Sequence, residues 1–133
     1  MMNKNTVEND FIRFWFENGI LCSAYKKSVD IDLEKAKETI ALRHEISDNQ
    51  KQYWCYDIAL LNNFSKESRD YADQNGQELL NACATIVNSH LTKFMFNTFL
   101  KLKGSKVPMK VFTKREEAMI WILDIKAKTE NQR

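Results

Sequence analysis

The sequence predicts an α/β domain, in which a mixed five-stranded sheet carries about four helices gathered mainly on one face. Asn18-Gly19 lies between two apolar runs, which is the strongest short signal for an antiparallel hairpin. Downstream, strand-like stretches alternate with stretches of helical periodicity, a pattern that predicts parallel strands joined by right-handed crossovers. Residues 53–61 are rich in aromatics without helical spacing, which indicates a buried central strand.

The remaining elements are assigned from local signals along the chain. Asp32 is the expected N-cap of the first helix, and Ser65 that of the second. Pro108 cannot donate a hydrogen bond to a strand ladder, so the last strand is expected at a sheet edge. Strands are predicted over residues 11–16, 20–25, 53–61, 82–87 and 107–112, and helices from Leu33, from Lys66, over residues 90–103 and from Lys114.

Length and composition fit one globular domain of 133 residues, with 44% hydrophobic and 29% charged residues. We expect a disordered N-terminus over residues 1–9, a single domain over residues 10–126 and a frayed tail over residues 127–133. No apolar run approaches the ~20 residues of a membrane span, so no membrane insertion is expected. The polar start of the chain lacks a signal-peptide core, which favours a cytoplasmic location.

The cysteines argue against a disulfide framework or a metal site. Cys22, Cys55 and Cys83 are widely spaced, each in an apolar segment, which favours buried reduced thiols. No pair has Cys-x-x-Cys spacing, and the only histidines are His44 and His90. We therefore expect no metal and no cofactor.

The net charge of +2 is unevenly distributed along the chain. Residues 90–115 carry seven Lys/Arg and no Asp/Glu, whereas residues 30–80 carry eleven acidic and six basic side chains. Two solvated helix faces explain this pattern, and a dipolar surface that docks partners is the alternative. Phe94 and Phe99 follow an apolar helical stripe within the basic stretch, so nucleic-acid binding is not expected.

Five short segments together carry a resemblance to a known family: Trp15-Phe16-Glu17-Asn18-Gly19-Ile20, Asp57-Ile58, Val87-Asn88-Ser89, Val111-Phe112-Thr113 and Glu116-Glu117-Ala118. From about Phe11 to Lys126, the chain resembles uncharacterised bacterial STAS-like proteins, which have the fold of anti-sigma-factor antagonists. The resemblance implies a non-enzymatic regulatory module that acts through protein interaction. Other STAS-like proteins are similar to lipid-binding CRAL-TRIO domains, so binding of a small apolar or lipid-like ligand is the alternative function.

The resemblance also directs attention to Ser65. In STAS proteins that switch partners, a serine in the loop after the central strand is phosphorylated, within the pattern Asp-Ser-Ser/Ala-Gly. Here the corresponding region reads Leu61-Asn62-Asn63-Phe64-Ser65, without the Asp-Ser pair and without the glycine. Ser65 is therefore the candidate phosphosite by position, whereas the surrounding motif departs from the family pattern.

Two polar turns form the candidate binding site, with Asn62, Asn63 and Ser65 after the central strand and Asn88 and Ser89 after the next strand. Because both turns follow neighbouring parallel strands, we expect them side by side, each leading into a helix N-terminus. An anion, a partner carboxylate or a phosphate on Ser65 is favoured there. Simple capping of the two helices by their serines is the alternative interpretation.

The sequence predicts no catalytic group, because the serines lack a Ser-His-acid arrangement that spacing can support. Asp57 is expected either to accept backbone N–H groups at the strand end or, if buried, to be an activated carboxylate. Helices on one face would leave an aromatic face open, including Trp15 and Tyr53. We therefore expect a homodimer, or a larger assembly, that covers part of this face or the opening hairpin.

Overall fold

The computed structural model describes residues 5–90, 92–93 and 106–131. Its helices are α1 (Leu33–Ile46), α2 (Lys66–Asn75) and α3 (Arg115–Asn131). Its strands are β1 (Thr6–Glu8), β2 (Ile12–Glu17), β3 (Ile20–Tyr25), β4 (Val29–Ile31), β5 (Gln52–Asp57), β6 (Leu61–Phe64), β7 (Leu80–Ile86) and β8 (Met109–Phe112). Helical backbone also begins at His90, but most of the helix predicted over residues 90–103 lies outside the described residues.

The main sheet has six strands in the order β1-β2-β3-β5-β7-β8. The first three strands pair antiparallel, and the pairs from β3 through β8 are parallel. In the turn between β2 and β3, Asn18 has φ 51° and Gly19 has φ 78°, the backbone conformation that the Asn-Gly signal predicts. The predicted α/β class, with an opening antiparallel hairpin followed by parallel strands, is therefore confirmed.

The strand count differs from the predicted five because three short strands have little apolar patterning of their own. β1 lies in the segment expected to be disordered and pairs with β2. β4 pairs parallel with β6 in a separate two-stranded sheet. Leu61, the expected end of the central strand, belongs to β6 instead. The central strand β5 therefore ends earlier, at Asp57. At the other terminus, α3 continues to Asn131, into the tail that was expected to fray.

One face of the sheet packs against α1 and α2. Ala36 and Ile46 of α1 are buried there with Phe14, Leu21 and Trp54. α2 packs beside α1, and its half-buried Tyr71 joins the same cluster. The spacing of these α1 residues follows the helical periodicity that places apolar side chains on one stripe.

The opposite face is covered over its central strands by α3, so two of the three described helices lie on one face and one lies on the other. Ala118, Met119 and Ile122 are buried there against the central strands, where Tyr53 and Cys55 lie. The open aromatic face that motivated the homodimer prediction is therefore covered over β5, β7 and β8. Within the described ranges, no helix has both the length and the apolar character needed to cross a membrane.

Trp54 is the centre of the α1 face. Its ring stacks on Tyr56 with centroids 4.2 Å apart, and its Nε1 donates to Ser23 Oγ at 2.9 Å. The guanidinium of Arg43 lies 4.7 Å from the ring centroid on a fully buried side chain. Burial lowers the pKa of Arg43 to about 10, so this side chain remains protonated at neutral pH. The cation–π contact partly compensates the buried charge.

Arg43 also fixes the backbone segment that leads into β7. Its Nη1 donates to the Gly76 carbonyl at 2.9 Å, and its Nη2 donates to the Glu78 carbonyl at 2.6 Å. The next residue, Leu79, has φ 60°, a left-handed conformation that is costly for a residue with a bulky side chain. The two hydrogen bonds from Arg43 therefore hold a strained segment in place.

Replacing Arg43 should destabilise the protein. Arg43→Met keeps an apolar stem on Trp54 but removes both hydrogen bonds, each worth about 1.5–3 kcal/mol when the donor is charged. Because removing the charge also relieves a desolvation cost, we expect a net loss of roughly 2 kcal/mol in the free energy of unfolding. Urea unfolding followed by tryptophan fluorescence measures this difference. Arg69→Met, at an exposed position on α2, is the matched control and should change little. Equal stability of the two variants would contradict this role.

Candidate functional site

A tight turn follows β5 at the carboxyl end of the sheet. The Ala59 N–H donates to Asp57 Oδ1 at 2.9 Å, and the Leu61 N–H donates to the Ile58 carbonyl at 2.9 Å. Asn88, just after β7, donates its Nδ2 to the Ala59 carbonyl at 3.2 Å. The sequence allowed two roles for Asp57, a backbone acceptor or an activated carboxylate. The structure shows the first, because Asp57 accepts a backbone N–H at the strand end.

The same turn presents Leu60 to solvent. The Leu60 side chain is 48% exposed, while its carbonyl accepts the Val29 N–H at 3.1 Å. Two exposed amide side chains lie close to Leu60. Asn62 follows it by two residues, and Asn88 contacts the turn at the Ala59 carbonyl. The sequence interpretation missed Leu60 because it placed this residue inside the buried strand. The available signal was Asp57, since an aspartate commonly accepts the N–H two residues on and thereby ends a strand.

Asn62 and Asn63 belong to β6, not to the polar turn in which the sequence placed them. Both are exposed, and Asn62 Nδ2 donates to Asp30 Oδ1 at 2.8 Å. The physical reason for the difference is pairing: Asn63 lies opposite Asp30 in the parallel ladder with β4. These two amides therefore sit on a small parallel ribbon, not at the end of β5.

Ser65 caps α2, as predicted. Its Oγ accepts the Ser68 N–H at 3.1 Å and donates to Ser68 Oγ at 2.9 Å. The Ser65 N–H donates to the Ile31 carbonyl at 3.1 Å, and the fully buried Ser68 hydroxyl donates to the same carbonyl at 3.0 Å. These hydrogen bonds join the start of α2 to the end of β4, so the capping interpretation of Ser65 has a direct structural basis.

Ser89 caps the helical residues that begin at His90. Its Oγ accepts the Thr92 N–H at 3.1 Å and donates to Thr92 Oγ1 at 2.9 Å. The five predicted site residues thus fall into two groups. Asn62, Asn63 and Ser65 lie beside β4, whereas Asn88 contacts the turn after β5 and Ser89 follows it along the chain. The segments that follow β5 and β7 do meet, through the hydrogen bond from Asn88 to the Ala59 carbonyl.

Among the open grooves on the described surface are two to which charged side chains contribute. The larger, of about 400 Å³, is lined by Asn9, Asp10, Phe11, Lys27, Val29, Asp32, Glu34, Lys35 and Glu38. The smaller, of about 370 Å³, is lined by Arg13, Trp15, Ala24, Tyr25 and Lys26. Neither has the enclosed apolar lining expected of a site for a lipid-like ligand.

The three thiols do not converge on one point. Cys22 and Cys55 lie on the face covered by α3, whereas Cys83 lies on the face covered by α1. In the described part of the chain, no group of three or more His, Cys, Asp or Glu side chains could hold a metal ion.

Comparison with known proteins gives a family and a fold. The model of a domain of unknown function, DUF7793, matches residues 14–126. No curated protein matches the chain. The structure is similar to that of an uncharacterised DUF3478-family protein with a SpoIIAA-like fold from Shewanella loihica PV-4, with a TM-score of 0.64 and 13% sequence identity. The likeness covers 87% of this chain and 98% of that chain, and it confirms the STAS-like fold.

Substitution of Ser65 should separate its capping role from other effects on the fold. Ser65→Ala removes the side-chain acceptor for the Ser68 N–H, and we expect a loss of about 1 kcal/mol in the free energy of unfolding. Ser65→Asp supplies a good cap and should stay close to the original protein. Chemical denaturation measures both, with Ser28→Ala at an exposed position as the control. Equal destabilisation by alanine and aspartate would show that capping is not what Ser65 contributes.

Proposed function

The chain belongs to the DUF7793 family and has a SpoIIAA-like fold, and from this premise we propose that it is a non-enzymatic regulatory module that binds another protein. The proposed docking surface is the loop of residues 58–65 together with Asn88. The observation that carries the proposal is Leu60, an exposed apolar side chain on a turn whose backbone is fixed by hydrogen bonds.

Leu60 has the surroundings of an interface anchor. Among the described residues, the large exposed apolar side chains are Phe16, Leu60 and Ile120. Leu60 is distinguished by its setting, because exposed asparagines flank it and polar rims around an apolar centre are typical of protein interfaces. Its turn is held by Asp57 and Asn88, so little conformational freedom is lost on binding.

Ser65 gives this surface a means of regulation. It lies at the end of the same loop, half-buried at the N-terminus of α2. A phosphate at a helix N-terminus is stabilised by the unpaired backbone N–H groups and by the helix dipole. Phosphorylation would replace the hydrogen bond that Ser65 donates to Ser68 and add negative charge next to Asn62 and Asn63. Partner binding would then depend on the state of Ser65.

The other candidate functions have weaker support. The described grooves do not favour the apolar or lipid-like ligand, because charged side chains line both of them. The homodimer remains a prediction, but α3 covers much of the face on which it was based. The separation of Asn62 and Ser65 from Asn88 favours protein docking over one shared anion site.

The docking surface is tested by substituting its apolar centre. Leu60→Asp should lower the capture of a specific protein from lysate of the native cell at least tenfold, since burying a leucine contributes about 1.5–3 kcal/mol. The experiment immobilises the full chain and quantifies captured proteins by mass spectrometry. Ile120→Asp, an equally drastic change at a 70% exposed position on α3, is the control and should capture the partner normally.

Two outcomes would contradict the proposal. A partner captured equally by the Leu60→Asp and Ile120→Asp variants would show that the surface lies elsewhere. The phosphosite is tested in the same format with Ser65→Asp and Ser65→Ala, both of which must first be shown to be folded. If both variants capture the partner as the original protein does, and protein from its own cell carries no phosphoserine, Ser65 is a cap only.

A further inference from the structure

Cys22 and Cys55 form a pair of thiols on adjacent strands. The two residues lie directly opposite each other in the parallel ladder of β3 and β5. Both side chains point to the face covered by α3, where they belong to the same buried cluster. The third thiol, Cys83, is on the opposite face and contacts Thr85 Oγ1 at 3.7 Å. The fold therefore places Cys22 and Cys55 side by side and leaves Cys83 alone on the other face.

The two paired thiols differ in their electrostatic environment. Arg115, the first residue of α3, places Nη2 3.9 Å from Cys22 Sγ. The neighbouring Cys55 thiol lowers the pKa of the Cys22 thiol, and Arg115 lowers it further, whereas burial and the charge of Glu17 oppose this shift. The neighbouring Cys22 thiol and burial raise the pKa of Cys55. A guanidinium beside a thiol is a setting in which cysteines are reactive.

We propose that Cys22 and Cys55 are a modification site at which a hydroperoxide, such as hydrogen peroxide, reversibly forms an intramolecular disulfide. The geometry suits this bond, because neighbouring strands lie about 4.8 Å apart, within the range of Cα separations of disulfides, about 4.4–6.8 Å. Cys22 is the attacking sulfur and Cys55 the resolving sulfur. Cys83 takes no part, since it faces the other side of the sheet.

The reaction balances in two steps. The Cys22 thiolate attacks one peroxide oxygen, the O–O bond breaks, and the sulfur becomes a sulfenic acid while hydroxide leaves and takes up a proton as water. The Cys55 sulfur then attacks the sulfenic sulfur, the S–S bond forms, and the departing hydroxide takes the Cys55 proton as a second water. Two electrons pass from the sulfurs to one peroxide. A small thiol reverses the reaction by exchange.

Access to Cys22 is controlled by an ion pair at the surface. Cys22 itself is 1% exposed, but the Arg115 side chain above it is 43% exposed. Arg115 Nη2 is paired with Glu17 Oε1 at 2.8 Å, and the Glu17 side chain is 40% exposed. Movement of this half-exposed pair, or fraying of the first turn of α3, opens a path for a molecule as small as hydrogen peroxide.

The direct test is peptide mapping of the full-length chain after exposure to hydrogen peroxide, quenching and alkylation of the remaining thiols. We expect a linked pair of peptides containing Cys22 and Cys55, absent after treatment with a small thiol, while Cys83 is alkylated as before. Cys83→Ala should retain the link. In Cys55→Ala, Cys22 should stop at a sulfenic acid that a dimedone-type reagent traps. A link that joins Cys83 to either partner, or loss of all three thiols at the same rate, would overturn the proposal.

A second measurement does not require a core substitution. Arg115→Met should slow the formation of the link, by roughly three- to fourfold for each unit by which the Cys22 pKa rises, because the thiolate fraction falls while the nucleophilicity of the thiolate increases. Arg13→Met is the matched control, because Arg13 is also half-exposed and paired with a glutamate, Glu8, at 2.7 Å. Equal rates for the two variants would overturn the proposal. It would also be overturned if Cys22 and Cys55 stay reduced in the native protein under conditions that oxidise the unfolded protein.

Discussion

The central strand β5 must bury side chains on both of its faces, and the rest of the structure depends on this constraint. Trp54 faces the α1 side, where it contacts the Tyr56 ring and the Arg43 guanidinium. Tyr53 and Cys55 face the α3 side. A strand that is apolar in both phases has no solvated side, so a helix layer is needed above and below it. The position of α3 follows from this requirement.

Because helices cover both faces of the central strands, the carboxyl end of these strands is an accessible place for another molecule to bind. At the carboxyl end, the turn after β5 is tied to the segment after β7 through Asn88 and to β4 through the Leu60 carbonyl. The turn is therefore rigid although it is exposed, and it carries an apolar side chain that no part of the described chain buries. In open α/β sheets, ligands characteristically bind at the carboxyl ends of the strands.

Features set by local chemistry could be predicted from the sequence. The Asn18-Gly19 hairpin and the caps Asp32 and Ser65 depend on residues adjacent in the chain, and each is found where the sequence placed it. The strands β1, β4 and β6 could not be predicted, because each is short and exists through pairing with a segment elsewhere. The covering of the second face by α3 is likewise a tertiary choice that helical periodicity alone does not determine.

The same distinction between local and long-range effects applies to the candidate site. Ser65 and Ser89 were identified because capping is local, whereas the exposure of Leu60 depends on β5 ending at Asp57. Asn62 and Asn63 were expected in a turn because asparagine favours turns, but pairing with β4 overrides that preference. The pairing of Cys22 with Cys55 depends on strand register, which the sequence did not determine. Local preferences therefore identified the polar residues, and long-range pairing decided their surroundings.

The central claim is that the central strands of the sheet are covered on both faces, and amide hydrogen exchange of the intact chain tests it most directly. If α3 packs on β5 and β7, the amides of residues 118–125 should exchange nearly as slowly as those of residues 53–56, because both open only with the core. Exchange of residues 118–125 at the rate of an unprotected helix, with β5 still protected, would show that the second face is open and would contradict the account.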